Sequence, residues 1–214
     1  MYLAIEGIIG VGKTTLARLL QPIFDASLLL EVFEENPFLS DFYADRARYA
    51  FQTQIFFLLS RYRHQQESVP AALERGNLVS DYTFAKDALF ARLNLRGDEL
   101  ETYHLLHQAL AERIRLPDLI LFLRSDTQVA LERIARRGRP YERNLEAAYL
   151  DSIRRAYEDH FGRKGAVPVL PIDTTTLDFV SRPQDLAAIV GRVRRELGLP
   201  PVQPELPMQG GRAA

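Results

Sequence analysis

Nine consecutive residues, Gly7-Ile8-Ile9-Gly10-Val11-Gly12-Lys13-Thr14-Thr15, form a complete phosphate-binding loop. Its spaced glycines let backbone N–H groups wrap a polyphosphate, while Lys13 and Thr14 are placed to meet the outer phosphates and a Mg²⁺ ion. The context is the one this chemistry needs. Tyr2-Leu3-Ala4-Ile5 reads as a buried strand, and the apolar periodicity from Thr14 through Leu20 reads as the opening of a helix whose N-terminus faces the phosphates. The loop, from Gly7 to Thr15 and including Val11, is therefore a site for a nucleoside triphosphate. The phosphoryl acceptor remains open at this point.

A strand-loop-helix start also restricts the fold. Apolar runs recur at residues 2–6, 27–32, 77–80, 119–123 and 167–172, separated by long amphipathic segments. That alternation predicts an α/β P-loop three-layer sandwich, with a parallel five-stranded sheet and helices on both faces. Helix signals cover 46–66, 84–94, 98–115, 127–137, 145–161 and 184–197, with Pro117 and Gly138 as stops. With 214 residues, 47% of them hydrophobic, the chain supports one sizeable core. We expect one domain over 1–198, followed by a flexible Pro- and Gly-rich tail over 199–214. The net charge of −1 gives no reason to expect a nucleic-acid polymer or a membrane surface as partner. The absence of cysteine excludes disulfides, thiolate metal sites and a cysteine nucleophile, and fits a reducing compartment. The first strand follows Met1 at once, leaving no room for a signal peptide, and no apolar run approaches spanning length; a cytoplasmic location is expected. The histidines lack zinc-site spacing, and no nucleophile elbow accompanies the serines.

Ligands of open α/β sheets collect beyond the carboxyl ends of the strands, so the acids there carry weight. Glu31 follows the second predicted strand and Asp81 the third. A hydroxyl acceptor loses a proton as it attacks phosphorus, which makes Glu31 the candidate general base. Asp81 suits Mg²⁺ or its water, together with Thr14. Either acid read blandly is a loop carboxylate that caps a helix. Gln54 shares a helix face with Phe51 and Leu58; a buried amide needs partners, and a nucleobase edge offers a donor and an acceptor side by side. Arg61 lies two turns further along that face. The bland reading is a core glutamine bonded to backbone and an exposed arginine. Arg133, Arg136, Arg137 and Arg139 crowd one helix end; in a chain of balanced charge with a P-loop, they read as a lid that closes on phosphate rather than as a solvated helix terminus.

Taken together these motifs resemble the deoxynucleoside kinases, particularly the bacterial deoxyguanosine and deoxyadenosine kinases. The resemblance runs through Gly7 to Thr15, the stretch from Glu31 through Asn36-Pro37-Phe38-Leu39, Tyr43, Phe51-Gln52-Thr53-Gln54, Arg61, Asp81-Tyr82-Thr83 and the segment from Glu132 to Glu142. It implies that Glu31 is the base for the 5′-hydroxyl and that Gln54, with Arg61 and Asp87 around it, reads the nucleobase. It also implies that Tyr43 and Glu142 hold the 3′-hydroxyl, that Arg133, Arg137 and Arg139 belong to the catalytic lid, and that a loop containing Asp173, Asp178 and Phe179 lies against the donor base. Two positions depart from the usual pattern. Val32 stands where many members have proline, and Tyr82 stands where they have the arginine of Asp-Arg-Ser or Glu-Arg-Ser; Lys86 is the candidate to supply the missing charge. The resemblance further implies a homodimer packed through helices.

The nearest alternative is a nucleoside monophosphate kinase such as a thymidylate kinase. Its acceptor is already anionic and needs an arginine rather than a base, and none stands beside Glu31. A guanine-nucleotide switch would need an Asn-Lys-x-Asp motif, which is absent, and would leave the arginine lid unexplained. The expected activity is Mg²⁺- and ATP-dependent phosphorylation of a purine deoxynucleoside. Deoxyguanosine is placed ahead of deoxyadenosine because the arginine donors of Arg61 suit the guanine O6 and N7 acceptors.

Overall fold

The sheet grows outward from the strand that the phosphate-binding loop requires. In the computed structural model, which describes residues 1–143 and 145–201, β1 spans Tyr2–Gly7 and is buried along its whole length. Apolar side chains on both faces fit a central strand covered on each side. The other strands are β2 (Ala26–Leu29), β3 (Asn77–Ser80), β4 (Leu119–Arg124) and β5 (Val169–Asp173). All pair in parallel in the order β2-β3-β1-β4-β5, with Ala4 opposite Ser80 on one side and Ile120 on the other. The sequence-predicted five-stranded sheet is therefore present. Its order reverses between β1 and β3, which puts the loops after these strands at the crevice where such sheets bind ligands.

Eight α-helices pack around the sheet among the described residues: α1 (Lys13–Ile23), α2 (Leu39–Ala44), α3 (Arg46–Arg75), α4 (Lys86–Asn94), α5 (Gly97–Ala111), α6 (Thr127–Arg137), α7 (Ala147–Phe161) and α8 (Pro183–Glu196). Gly138, left-handed at φ +72°, ends α6 as expected. The helix predicted to stop at 66 instead runs 30 residues to Arg75, through Pro70. Burial of Val69 and Ala72 in the main core opposes the backbone hydrogen bond lost at the proline. The predicted strand at 27–32 is also shorter, ending at Leu29. Asp81 explains this: its backbone N–H donates to Leu29 O at 3.2 Å, while its side chain takes the Glu31 N–H at 2.8 Å, and a side-chain acceptor ends the ladder.

The hydrophobic interior has two parts. The larger surrounds the sheet, joining Leu3, Ile5, Leu16, Val79, Leu121 and Ile172. The smaller lies among the helices and joins Phe42, Ala50, Leu58, Phe84, Leu95 and Tyr103. No helix among the described residues is long and apolar enough to cross a membrane. The predicted tail lies outside the described residues from 202 onward.

Candidate active site

A cavity of about 820 Å³ opens beyond the carboxyl ends of the strands. Gly7, Gly10, Val11, Gly12, Lys13, Thr14 and Thr15 form one end of its wall; Tyr43, Gln54, Arg61, Lys86 and Glu142 line the rest, with Arg133, Arg137, Arg139 and Phe179. The fold thus brings together residues that lie far apart in sequence. Glu31, Asp81 and Asp87 are held immediately behind this wall by bonds to residues that form it.

The loop keeps its shape through glycine. Gly10 has φ +82°, and a Cβ there would come 2.6 Å from Ala130 O and 2.7 Å from Ile134 Cγ1. Gly12, at φ +105°, lies under the Phe179 ring, whose Cζ would be 3.0 Å from an added Cβ. Both positions require a residue without a side chain. Lys13 Nζ donates to Gly7 O (2.7 Å) and Ile8 O (3.0 Å) and so spans the loop. Burial and the neighbouring Lys86 cation lower its pKa to about 8. Thr14 Oγ1 donates to Asp81 Oδ2 at 2.5 Å. A hydroxyl and a carboxylate held together at a helix N-terminus beside the phosphate loop are a donor set that fits Mg²⁺. Burial raises the Asp81 pKa, against the hydrogen bond from Thr14.

Behind the opposite wall lies a chain of alternating charge. Glu31 Oε2 accepts from Lys86 Nζ at 2.6 Å, and Glu31 Oε1 accepts from Arg61 Nε at 2.8 Å and also from its Nη2. Arg61 Nη1 in turn is ion-paired with Asp87. Lys86, Arg61 and Asp87 are each at most 4% exposed. Burial favours the neutral form of Glu31, but the two cations outweigh it and bring its pKa down to about 2. Arg61 therefore spends its donors on two carboxylates, where the sequence predicts it to reach along the base. Asp87 holds Arg61 from behind. Gln54 is buried at the cavity wall.

The arginine cluster divides by partner. Arg137 Nη2 donates to both Glu142 oxygens, at 2.7 and 2.6 Å, and Arg139 lies 3.8 Å from Oε1. Tyr43 stacks on Tyr141 with ring centroids 5.9 Å apart, so the predicted sugar-side residues and the predicted lid meet at one place. Arg133 instead donates to Val11 O (3.3 Å), Thr174 Oγ1 (3.2 Å) and Thr174 O (2.7 Å), bracing the phosphate loop against the end of β5. Asp173 is not at the cavity: it is exposed, and its Oδ1 accepts from Thr175 N at 2.9 Å, closing its own turn. The wall at that point is made by residues 175–181, including Asp178 and Phe179.

Sequence reasoning missed Glu6. This fully buried acid is the next-to-last residue of β1 and accepts from Thr83 N (2.6 Å), Thr83 Oγ1 (2.8 Å) and Tyr157 OH (3.1 Å). Burial raises its pKa. It ties the loop after β3 to the base of the phosphate loop. The available signal was a lone carboxylate in an otherwise apolar strand.

Comparison with known proteins supplies relatives for this chain. Over 198 residues the chain is 33% identical to a deoxyguanosine kinase of Bacillus subtilis, covering 90% of this chain and 96% of the relative. It is 36% identical over 195 residues to a deoxyadenosine kinase of Dictyostelium discoideum, covering 88% and 77%. A solved deoxyadenosine kinase from M. mycoides, with products dCMP and dCDP bound, superposes with a TM-score of 0.80 at 23% identity, covering 91% of this chain and 99% of that one; this shows a shared P-loop kinase fold. The profile described as deoxynucleoside kinase matches residues 3–197, and the chain is a phosphotransferase belonging to the deoxynucleoside kinase family.

Proposed function

We propose that the protein transfers the γ-phosphoryl group of ATP to the 5′-hydroxyl of a purine deoxynucleoside, with deoxyguanosine the better substrate and deoxyadenosine second. The observation that carries this reading is the buried Glu31 carboxylate, bonded to Lys86 and Arg61 of the wall of a cavity that the phosphate loop also lines. At this part of the wall Arg61 is bonded to Glu31 and Asp87, so a buried carboxylate suited to taking a proton stands beside it. This supports a neutral hydroxyl.

In the proposed reaction Glu31 takes the 5′-hydroxyl proton as the oxygen attacks phosphorus. While two cations hold it, this carboxylate is a weak base, so one of them has to give way as the hydroxyl proton is transferred. Lys13 and the loop amides hold the donor phosphates, and Arg137 and Arg139 stabilise charge on the transferring group. Thr14 and Asp81 would hold Mg²⁺, which supplies neutralisation of phosphate charge. Gln54 faces the base, Tyr43 and Glu142 the deoxyribose, and Phe179 packs at the donor side. The guanine preference is supported by the likeness to the Bacillus deoxyguanosine kinase and by Arg61 at the wall, although that arginine has to share its donors with two acids. A cytoplasmic homodimer with a single domain over 1–198 completes the proposal.

The test is a comparison of kcat/KM for the four natural deoxynucleosides and their monophosphates at one ATP and one Mg²⁺ concentration. Deoxyguanosine is expected first. A monophosphate or thymidine as best acceptor would overturn the purine assignment; deoxyadenosine as best would overturn only the guanine preference.

A further inference from the structure

The Glu31 carboxylate has both oxygens occupied, one by Arg61 and the other by Lys86. If Glu31 accepts the hydroxyl proton, as the proposed reaction requires, one cation must give way. The two are not equivalent. Arg61 is a planar fork bonded to Glu31 through Nε and Nη2 and to Asp87 through Nη1, so moving it breaks two buried ion pairs. Lys86 holds Glu31 through a single ammonium on a flexible four-carbon stem. Its side chain already forms part of the cavity wall, between Phe33 and Phe90, whose ring centroids lie 5.6 and 5.9 Å from Nζ. Among the described residues Glu31 is its one ion-pair partner.

A buried ammonium cannot leave its carboxylate without another anion to receive it. The reaction provides one. As the O5′–H bond breaks and the proton passes to Glu31, that carboxylate becomes neutral. At the same time the O5′–P bond forms, the bond from phosphorus to the leaving ADP oxygen breaks, and negative charge is shared over the oxygens of the transferring group. The partner of the Lys86 cation thereby disappears on one side as it strengthens on the other. We propose that Lys86 is a catalytic residue that exchanges the Glu31 carboxylate for the transferring phosphoryl group during turnover.

The test uses Lys86→Gln and Lys86→Met in the full chain, with the deoxynucleoside that the wild type phosphorylates fastest. Glutamine keeps an N–H donor for Glu31 and removes the charge, so it separates a prop for Glu31 from a phosphoryl ligand. Both variants are expected to lose about 100-fold in kcat, the scale of removing one transition-state donor. Calorimetric titration without ATP is expected to show deoxynucleoside affinity within about threefold of wild type and deoxynucleoside monophosphate affinity weakened by about tenfold, one missing phosphate contact. Rescue of kcat by glutamine, or equal weakening of both ligands, would overturn the proposal and leave Lys86 a positioning residue. Should the methionine variant fail to fold, the glutamine variant decides alone. A wild type inactive toward every deoxynucleoside would overturn the proposed reaction, and this inference with it, before any variant is measured.

Discussion

The two ends of the cavity are made from different materials. The end we propose for the donor is backbone: nine consecutive residues, with glycines where a Cβ would strike Ala130 or Phe179, present amides at the start of α1. The end we propose for the acceptor is side chain: Glu31 meets a lysine 55 positions away and an arginine 30 positions away, and a further acid closes the row. One end is defined by shape and local sequence. The other is defined by charge balance among residues that only the fold brings together. The donor end should therefore fail when atoms are added, and the acceptor end when charge is removed.

The largest expected effect lies at the acceptor end. Glu31→Gln keeps the size of the side chain, and kcat should fall by about 10² to 10⁴, the scale of general-base catalysis, with ATP affinity nearly unchanged. Steady-state kinetics at saturating deoxynucleoside measures it; near-normal turnover would remove Glu31 from the chemistry. Next comes Gly10→Ala, which pushes a methyl group against Ala130 O and Ile134. Misplacing the loop should lower kcat/KM for ATP by about 10²-fold while calorimetric deoxynucleoside binding stays intact. Equal loss of both would show that the two ends are not separable. A smaller effect is expected for Gln54→Leu: one lost buried hydrogen bond to the base should weaken deoxynucleoside binding by about tenfold, with ATP binding as the unchanged control.

The smallest effect concerns stability. Burial raises the proton affinity of Glu31, and Arg61 and Lys86 more than reverse it, leaving the folded pKa near 2, below the ordinary glutamate value. A depressed carboxylate adds stability that is complete above its unfolded pKa and is lost as pH falls from there through the folded value. The melting temperature should drop between pH 5 and pH 3, and less steeply in Glu31→Gln. Each kcal/mol lost corresponds to about 2–4 °C for a chain of this size. Identical slopes for the two proteins would place the acid sensitivity elsewhere.

Legibility in the sequence follows the same division. The loop, its flanking strand and helix, and the five apolar runs of the sheet are local or periodic signals, and all are found in the structure. Gly138 was readable as a helix stop because a left-handed residue favours glycine whatever surrounds it. The end of α3 was not readable, since a proline at position 70 marks a break in isolation and only tertiary packing overrules it. Glu31 and Arg61 could be singled out individually, but their pairing could not, because nothing in the spacing of residues 31, 61, 86 and 87 says that four charges form one row. Asp173 entered only through the resemblance, which locates a loop but not which of its acids faces the cavity; its carboxylate accepts from Thr175 N, while residues 175–181 form the wall. Arg133 shares a helix with Arg137, yet the backbone carbonyls within its reach make it a brace.

The long α3 helix carries a consequence beyond the site it serves. Ala50 and Leu58 anchor its first half in the smaller core, Val69 and Ala72 anchor its last turns in the core around the sheet, and Gln54 and Arg61 sit on the same rod. At 1.5 Å per residue the rod is about 45 Å long. The part of the cavity wall that α3 supplies, where we propose the nucleobase binds, therefore cannot soften by itself, as a surface loop can. Amide exchange along the middle of α3 should follow global unfolding, and a deoxynucleoside that binds there should slow exchange as far away as β3, protecting the whole molecule rather than one corner of it.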